Sequence, residues 1–127
     1  MGDELAARLS LLGSVLDATR APALVVGAVV HGELLALRPF VAGNGVVARS
    51  VTRLVLTVRG LDPTGSVVTE AAWVGAPAQY AAAAAGFAAG TDDGMARWIA
   101  TCADGVVAGA AEARSVADAV LAGSLQS

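Results

Sequence analysis

Residues 22–60, PALVVGAVVHGELLALRPFVAGNGVVARSVTRLVLTVRG, decide the fold of this chain. Pro22 suits the first turn of a helix, because the amide proton that it lacks would have no partner there. That helix is expected to end where Arg38 meets Pro39, since the residue before a proline is pushed out of helical geometry. A Gly-Asn-Gly turn at residues 43–45 then begins another helix, which stops at Gly60. The stretch therefore predicts two apolar helices joined by a short loop.

The flanking sequence extends this pattern to an all-α helical bundle of one domain, residues 1–127. Leucines spaced three and four apart predict an amphipathic helix over residues 3–19. Residues 61–77 are rich in Pro, Gly, Thr and Ser, and we expect a connection there with a short extended piece at residues 67–68. Two alanine-rich helices follow, separated by a turn at residues 90–92.

Composition and charge limit the classes of partner. All eight basic residues are arginine, they form no stripe, and the net charge is −3. Binding to nucleic acid or to an acidic membrane surface is therefore not expected. His31 and Glu33 interrupt the longest apolar run, so that we predict a buried helix there and not a membrane span. Acidic residues near the N-terminus, where a secretory signal would carry positive charge, predict a cytoplasmic protein. Apolar residues make up 56% of the chain, and this surplus suggests a homo-oligomer, a protein partner or a fragment.

Side chains that commonly carry chemistry are scarce. Cys102 is the one cysteine and His31 the one histidine, which excludes an internal disulfide and a multi-histidine or multi-cysteine metal site. Each is interpreted as a packing residue, and Trp73 and Trp98 as core or interface anchors. We therefore predict no catalytic residue and no metal ligand.

The loop between the two central helices is the candidate binding feature. Backbone amides at Gly43, Asn44 and Gly45 lie where a helix begins, and the positive end of a helix attracts anions. Arg38 and Arg49 flank the turn. The alternative interpretation is a tight connection, since glycine and asparagine tolerate left-handed backbone geometry.

The order Pro39-Phe40, two residues, Gly43-Asn44-Gly45, three residues and Arg49 resembles the signature of the Fic/Doc (Fido) family, HPFx[DE]GNGRxxR. The resemblance covers residues 22–62 and implies a Fic-like helix–loop–helix core. In that family the signature binds the phosphates of a nucleotide, and most members transfer AMP from ATP to a protein hydroxyl. It implies an anion cradle at residues 43–45, a phosphate-facing Arg49 and a buried anchor at Phe40.

Three departures from the signature remove the family's chemistry. The histidine that accepts a proton is Arg38 here, and a guanidinium cannot serve as a base. The acidic magnesium ligand is Ala42, so magnesium is not expected. The first signature arginine is Val46, which leaves Arg49. The family's upstream hairpin is also missing, so either the chain starts downstream of it or this branch lacks it.

Three functions remain open. The first is a degenerate Fic-like domain without AMP-transferase activity, which binds phosphate, ATP or another nucleotide through residues 43–45, Arg49 and Arg38. The second is a purely structural or protein-interaction domain. The third is an active nucleotidyl or phosphoryl transferase with metal-independent chemistry, because such transfer depends largely on positioning and charge neutralisation. The loss of the base and of the metal ligand favours a role without catalysis.

Overall fold

A computed structural model describes residues 2–123, which contain six α-helices and no strand. The helices are α1 (Gly2–Ala18), α2 (Ala23–Leu37), α3 (Asn44–Val58), α4 (Glu70–Val74), α5 (Pro77–Ala88) and α6 (Asp92–Leu121). The all-α prediction is confirmed, and the predicted bounds of α1, α2 and α3 agree with the structure to within about two residues.

Helix α2 is the centre of the bundle and packs most extensively against α3. The close approach depends on small residues, because Gly27 of α2 lies against Leu56 and Thr52, where an added Cβ would be 3.4 and 3.5 Å from their side chains. Ala48 on α3 is fully buried against this helix. The predicted burial of the apolar α2 segment is confirmed.

The buried face of α3 differs from the one its valines and leucines suggest. The spacing of Arg49, Arg53 and Thr57 predicts an opposite, buried face made of Val47, Val51, Leu54, Val55 and Val58. Val51 and Val55 do pack against the core, but Leu54 and Val58 are 60% and 75% exposed. The buried positions are instead spaced four apart, at Asn44, Ala48, Thr52 and Leu56. Gly27 allows α2 to approach the face that carries Thr52 and Leu56, and the prediction from hydrophobicity is wrong for Leu54 and Val58 for that reason.

Helices α5 and α6 cover the other side of α2. The indole nitrogen of Trp98 donates a hydrogen bond of 2.7 Å to the carbonyl oxygen of Ala28 in α2. Gly94 of α6 lies so close to α5 that an added Cβ would be 2.1 Å from the carbonyl oxygen of Gly86. Trp98 is fully buried and Trp73 is 8% exposed, which confirms both tryptophans as core residues.

Helix α1 packs on the outside of the bundle and contains no buried residue. Arg59, at the end of α3, donates hydrogen bonds to the carbonyl oxygens of Leu16 and Thr19. Arg8 forms an ion pair of 2.9 Å with Glu33 of α2. Polar contacts therefore supplement the leucines of α1 in holding this helix.

The connection over residues 61–77 is more ordered than its composition predicts. Asp62 is 7% exposed, and its carboxylate accepts hydrogen bonds from the amides of Ser66 and Val67 at 3.0 and 2.9 Å. The extended piece expected at residues 67–68 forms no strand, and the short helix α4 follows it. Within residues 2–123, no helix combines the length and apolar character needed to cross a membrane.

Candidate functional site

The loop between α2 and α3 reverses the chain through two residues with left-handed backbone. Arg38 ends α2 with φ 48°, and its amide donates to the carbonyl oxygen of Leu34. Gly43 begins α3 with φ 78°. Glycine adopts this geometry without strain, whereas an arginine there costs about 1–2 kcal/mol. We call the loop and the start of α3, residues 38–46, the α2–α3 corner. Arg38 lies at its beginning and has a strained backbone.

Asn44 closes this loop with its side chain. Its Oδ1 accepts a hydrogen bond of 2.9 Å from the amide of Phe40, and its Nδ2 donates one of 2.8 Å to the carbonyl oxygen of the same residue. Asn44 is 8% exposed, so these two bonds are largely shielded from water. The Asn44 side chain is therefore used within the loop and does not cap α3.

The first amides of α3 consequently stay uncapped. No side chain caps the helix, and its first backbone bond runs from the amide of Val47 to the carbonyl oxygen of Gly43 at 3.0 Å. Over residues 2–123, no acceptor is bonded to the amides of Asn44, Gly45 or Val46. Three orphan donors at a helix start carry partial positive charge.

A cleft of about 350 Å³ lies over this corner. Its lining combines the helix start with both flanking arginines and consists of Leu35, Arg38, Ala42, Gly43, Asn44, Gly45, Val46 and Arg49. The structure thus brings together all five predicted site residues. A space of this size accommodates a phosphate group and part of an attached ligand.

Gly45 determines where the Arg49 side chain lies. A Cβ added at Gly45 would be 2.9 Å from Nη1 of Arg49, so the guanidinium rests against the first turn of α3. At Gly43 an added Cβ meets nothing within 4 Å, which leaves the loop side of the cleft open. The glycines therefore leave the backbone of the first turn of α3 free of Cβ atoms on the side that faces Arg49 and the cleft.

The family resemblance makes predictions for Phe40, Ala42 and Val46, and the structure shows the exposure of each side chain. Phe40 is 52% exposed, so its role as a buried anchor is wrong: Asn44 holds its backbone while its ring faces outward. Ala42 is exposed, and its methyl side chain has no oxygen to offer a metal. Val46, which stands where the signature has its first arginine, is 61% exposed.

His31 lies in an aromatic cluster behind the corner. Its ring is fully buried and makes edge contacts with Trp73, Tyr80 and Trp98 at centroid distances of 5.1, 5.8 and 5.1 Å. Nε2 is hydrogen bonded to the Tyr80 hydroxyl at 2.6 Å, and buried Nδ1 has no partner within the described chain. Burial, together with the positive charge of Arg49, lowers the pKa of His31 to about 4.

A second cleft, of about 380 Å³, adjoins the aromatic cluster. It is lined by Arg49, Glu70, Trp73, Val74, Pro77 and Tyr80. Burial raises the pKa of Tyr80, and hydrogen bonding and charge from Arg49 oppose that increase. Glu70 and Tyr80 were not predicted as site residues, because they lie in a connection and an alanine-rich helix that carry no recognisable motif.

The remaining candidates fall outside both clefts. Burial raises the pKa of the Cys102 thiol to about 12, which suits a packing residue. Glu33 pairs with Arg8 and not with Arg38. Across residues 2–123, no three His, Cys, Asp or Glu side chains cluster so as to hold a metal ion.

Comparisons with known proteins assign no family or function to the chain. No family model, curated protein or solved structure matches the chain.

Proposed function

We propose that this chain is a Fic-like domain without transferase activity whose α2–α3 corner binds the phosphate groups of a nucleotide. The observation that supports it is the arrangement of the Asn44, Gly45 and Val46 amides, which are uncapped and open into the same cleft as Arg38 and Arg49. Backbone amides at a helix start and a guanidinium are the standard components of a phosphate site.

The side chains in the cleft support binding without catalysis. Arg38 occupies the position of the family's base, and a guanidinium donates hydrogen bonds but offers no acceptor for a proton. Ala42 occupies the position of the metal ligand and contributes only a methyl group. A phosphate held here would be positioned and neutralised, but no group in the cleft would take a proton from an attacking hydroxyl.

Isothermal titration of the full chain with ADP and with pyrophosphate tests this proposal. We expect binding of both, and Arg49→Ala should weaken it at least tenfold because a charge-assisted bidentate contact is lost. Arg53→Ala is the matched control, since Arg53 lies one turn later on α3 and lines neither cleft. It should change affinity less than twofold.

Two results would overturn the proposal. One is an absence of binding by the wild-type chain at millimolar ligand concentrations. The other is an equal loss of affinity in Arg49→Ala and Arg53→Ala, which would indicate general charge attraction instead of a site.

A second candidate is a structural role for the corner, favoured by the two hydrogen bonds between the Asn44 side chain and the backbone of Phe40. In that case the Gly-Asn-Gly sequence serves to join α2 to α3. The wild-type chain would then bind neither ligand, whereas substitutions in the loop would lower its melting temperature.

A further inference from the structure

The outer face of α3 carries an apolar stripe that the bundle leaves partly uncovered. Its members recur at intervals of four, three and four residues, and they are Val47, Val51, Leu54 and Val58. Val47 and Val51 are partly buried, whereas Leu54 and Val58 are 60% and 75% exposed. This spacing is typical of a helix face that packs against another helix. The bundle therefore leaves the half of the stripe that contains Leu54 and Val58 open to solvent.

An apolar cleft of about 220 Å³ adjoins this open half, between α1 and α3. Its lining consists of Leu16, Leu54, Val55, Val58 and Arg59. The Arg59 guanidinium donates to the carbonyl oxygens of Leu16 and Thr19, so this charge is already engaged within the chain. The cleft consequently offers room for apolar side chains of a partner beside the apolar stripe.

The rows of side chains on either side of the stripe carry no charge. They are Ser50 and Thr57 on one side and Ala48 and Val55 on the other. Arg49 and Arg53 lie at least about 120° around the helix from the middle of the stripe, since each residue adds about 100°. A charged partner would therefore find no opposite charge beside the stripe, whereas a second α3 helix can approach it without facing a like charge.

An antiparallel second copy pairs every member of the stripe. Where Leu54 faces Val51 of the other copy, Val58 faces Val47 by the same offset, and a two-fold axis repeats both pairs. The two helix dipoles also oppose each other in this orientation. Such a contact covers roughly 500 Å² on each copy, and a total of about 1,000 Å² is the lower limit for a specific interface. The area therefore predicts a dimer that forms reversibly at micromolar concentrations.

We infer that a second copy of this chain covers the stripe, in a two-fold symmetric dimer whose α3 helices pack antiparallel. The side chains of α3 that are apolar but exposed in one chain are buried in the pair. The inference does not rest on the proposed function, because Arg49 lines its two clefts from the other side of α3.

Sedimentation equilibrium of the full chain between about 1 and 500 μM tests the dimer. We expect the mean mass to rise from one chain to two, with a dissociation constant in the micromolar range. Leu54→Glu should weaken association at least about thirtyfold, because each dimer would bury two carboxylates against apolar side chains. Val107→Glu is the matched control, since it places the same charge at a 69% exposed position on α6. It should change the dissociation constant less than twofold.

Thermal melts separate a loss of association from a loss of folding. Leu54 is exposed in the single chain, so Leu54→Glu should melt within about 4 °C of the wild type at concentrations below the dissociation constant. At high concentration the wild type should melt at the higher temperature, since association stabilises the folded chain. Val58→Glu changes the more exposed position, should give the same loss of association, and decides the test where Leu54→Glu melts early.

Disulfide cross-linking tests the antiparallel arrangement. A mixture of Val47→Cys and Val58→Cys should form a disulfide between the two variants, because the pairing brings these positions together. Either variant alone should cross-link at least about tenfold more slowly, since its own two thiols would lie roughly 16 Å apart along the helices. Cys102 is buried and does not compete.

Four results would overturn the inference. A wild-type chain that stays monomeric up to about 500 μM would assign the stripe to a different partner or to none. Equal association of the wild type and the folded glutamate variants of the stripe would place the interface on another face. A mass that exceeds two chains would indicate an open assembly. Cross-linking of Val58→Cys to itself as fast as to Val47→Cys would contradict the antiparallel pairing.

Discussion

The Tyr80 hydroxyl lies 2.6 Å from Nε2 of His31, in a cluster of rings that leaves His31 no exposed surface. The pKa of His31 is lowered to about 4, chiefly by burial and also by the charge of Arg49. The titratable groups that face this cluster therefore include Arg49, which lines both clefts, and Tyr80, which lines the second cleft.

We predict that this histidine makes the fold sensitive to acid. The unfolded chain binds a proton at His31 below a pKa of about 6.5, whereas the folded chain does so only below about 4. The contribution of His31 to the free energy of unfolding is therefore fully present above pH 6.5. It decreases by about 3 kcal/mol as the pH falls from 6.5 to 4, because only the unfolded chain takes up the proton. Urea unfolding at several pH values measures it.

The matched variant for that experiment is His31→Gln, whose side chain does not titrate. Its stability will be lower at neutral pH, but its decrease between pH 6.5 and 4 should be smaller than that of the wild type. Parallel curves for the two proteins would show that His31 does not cause the acid sensitivity.

Replacement of Asn44 tests the closure of the α2–α3 loop. Asn44→Ala removes both hydrogen bonds to the backbone of Phe40 and should lower the free energy of unfolding by about 1–3 kcal/mol. Ser50→Ala, an exposed position on the same helix, should change it by less than about 0.5 kcal/mol. Similar stabilities of the two variants in urea would contradict the role given to Asn44.

Arg38→Gly should separate stability from binding. Because Arg38 has φ 48°, glycine there relieves backbone strain and should raise the free energy of unfolding by about 1 kcal/mol. The same change removes a guanidinium from the first cleft and should weaken pyrophosphate binding several-fold. Arg38→Ala should weaken binding equally without the gain in stability. A lower melting temperature for Arg38→Gly would show that the arginine side chain supports the fold.

The crossing of α5 and α6 should tolerate no added methyl group at Gly94. Its Cβ would lie 2.1 Å from the backbone oxygen of Gly86, and two packed helices cannot separate locally to accommodate it. We expect Gly94→Ala to lose at least about 3 kcal/mol of stability. Gly13→Ala in α1, where nothing lies within 4 Å, should gain up to about 1 kcal/mol. Comparable melting temperatures would refute the close contact.

The sequence predicts much of the helical framework, because prolines, glycines and leucine spacing act locally. Pro22, Pro39 and Gly60 mark the ends of α2 and α3 to within about two residues. The buried face of α3 could not be predicted in the same way. It depends on the close approach of α2, whose Gly27 lies against Thr52 and Leu56, and this is a tertiary effect.

The candidate site likewise combines residues that the sequence predicts with residues that only tertiary packing brings together. Residues 43–45 and Arg49 are adjacent in sequence and form a recognisable pattern, so they could be named in advance. Glu70 and Tyr80 reach Arg49 only through the packing of α4 and α5, and no spacing in the sequence indicates it. The exposure of Phe40 also depends on how Asn44 turns the loop.

The most direct test of the central claim is an amide proton–nitrogen NMR titration of the full chain with ADP. Binding at the corner predicts that the resonances of the Asn44, Gly45 and Val46 amides move downfield and saturate together with the Arg49 side-chain signal, because their orphan donors gain an acceptor. Unchanged resonances at these four groups with saturating ADP, or changes confined to other parts of the chain, would contradict the claim that this helix start binds phosphate.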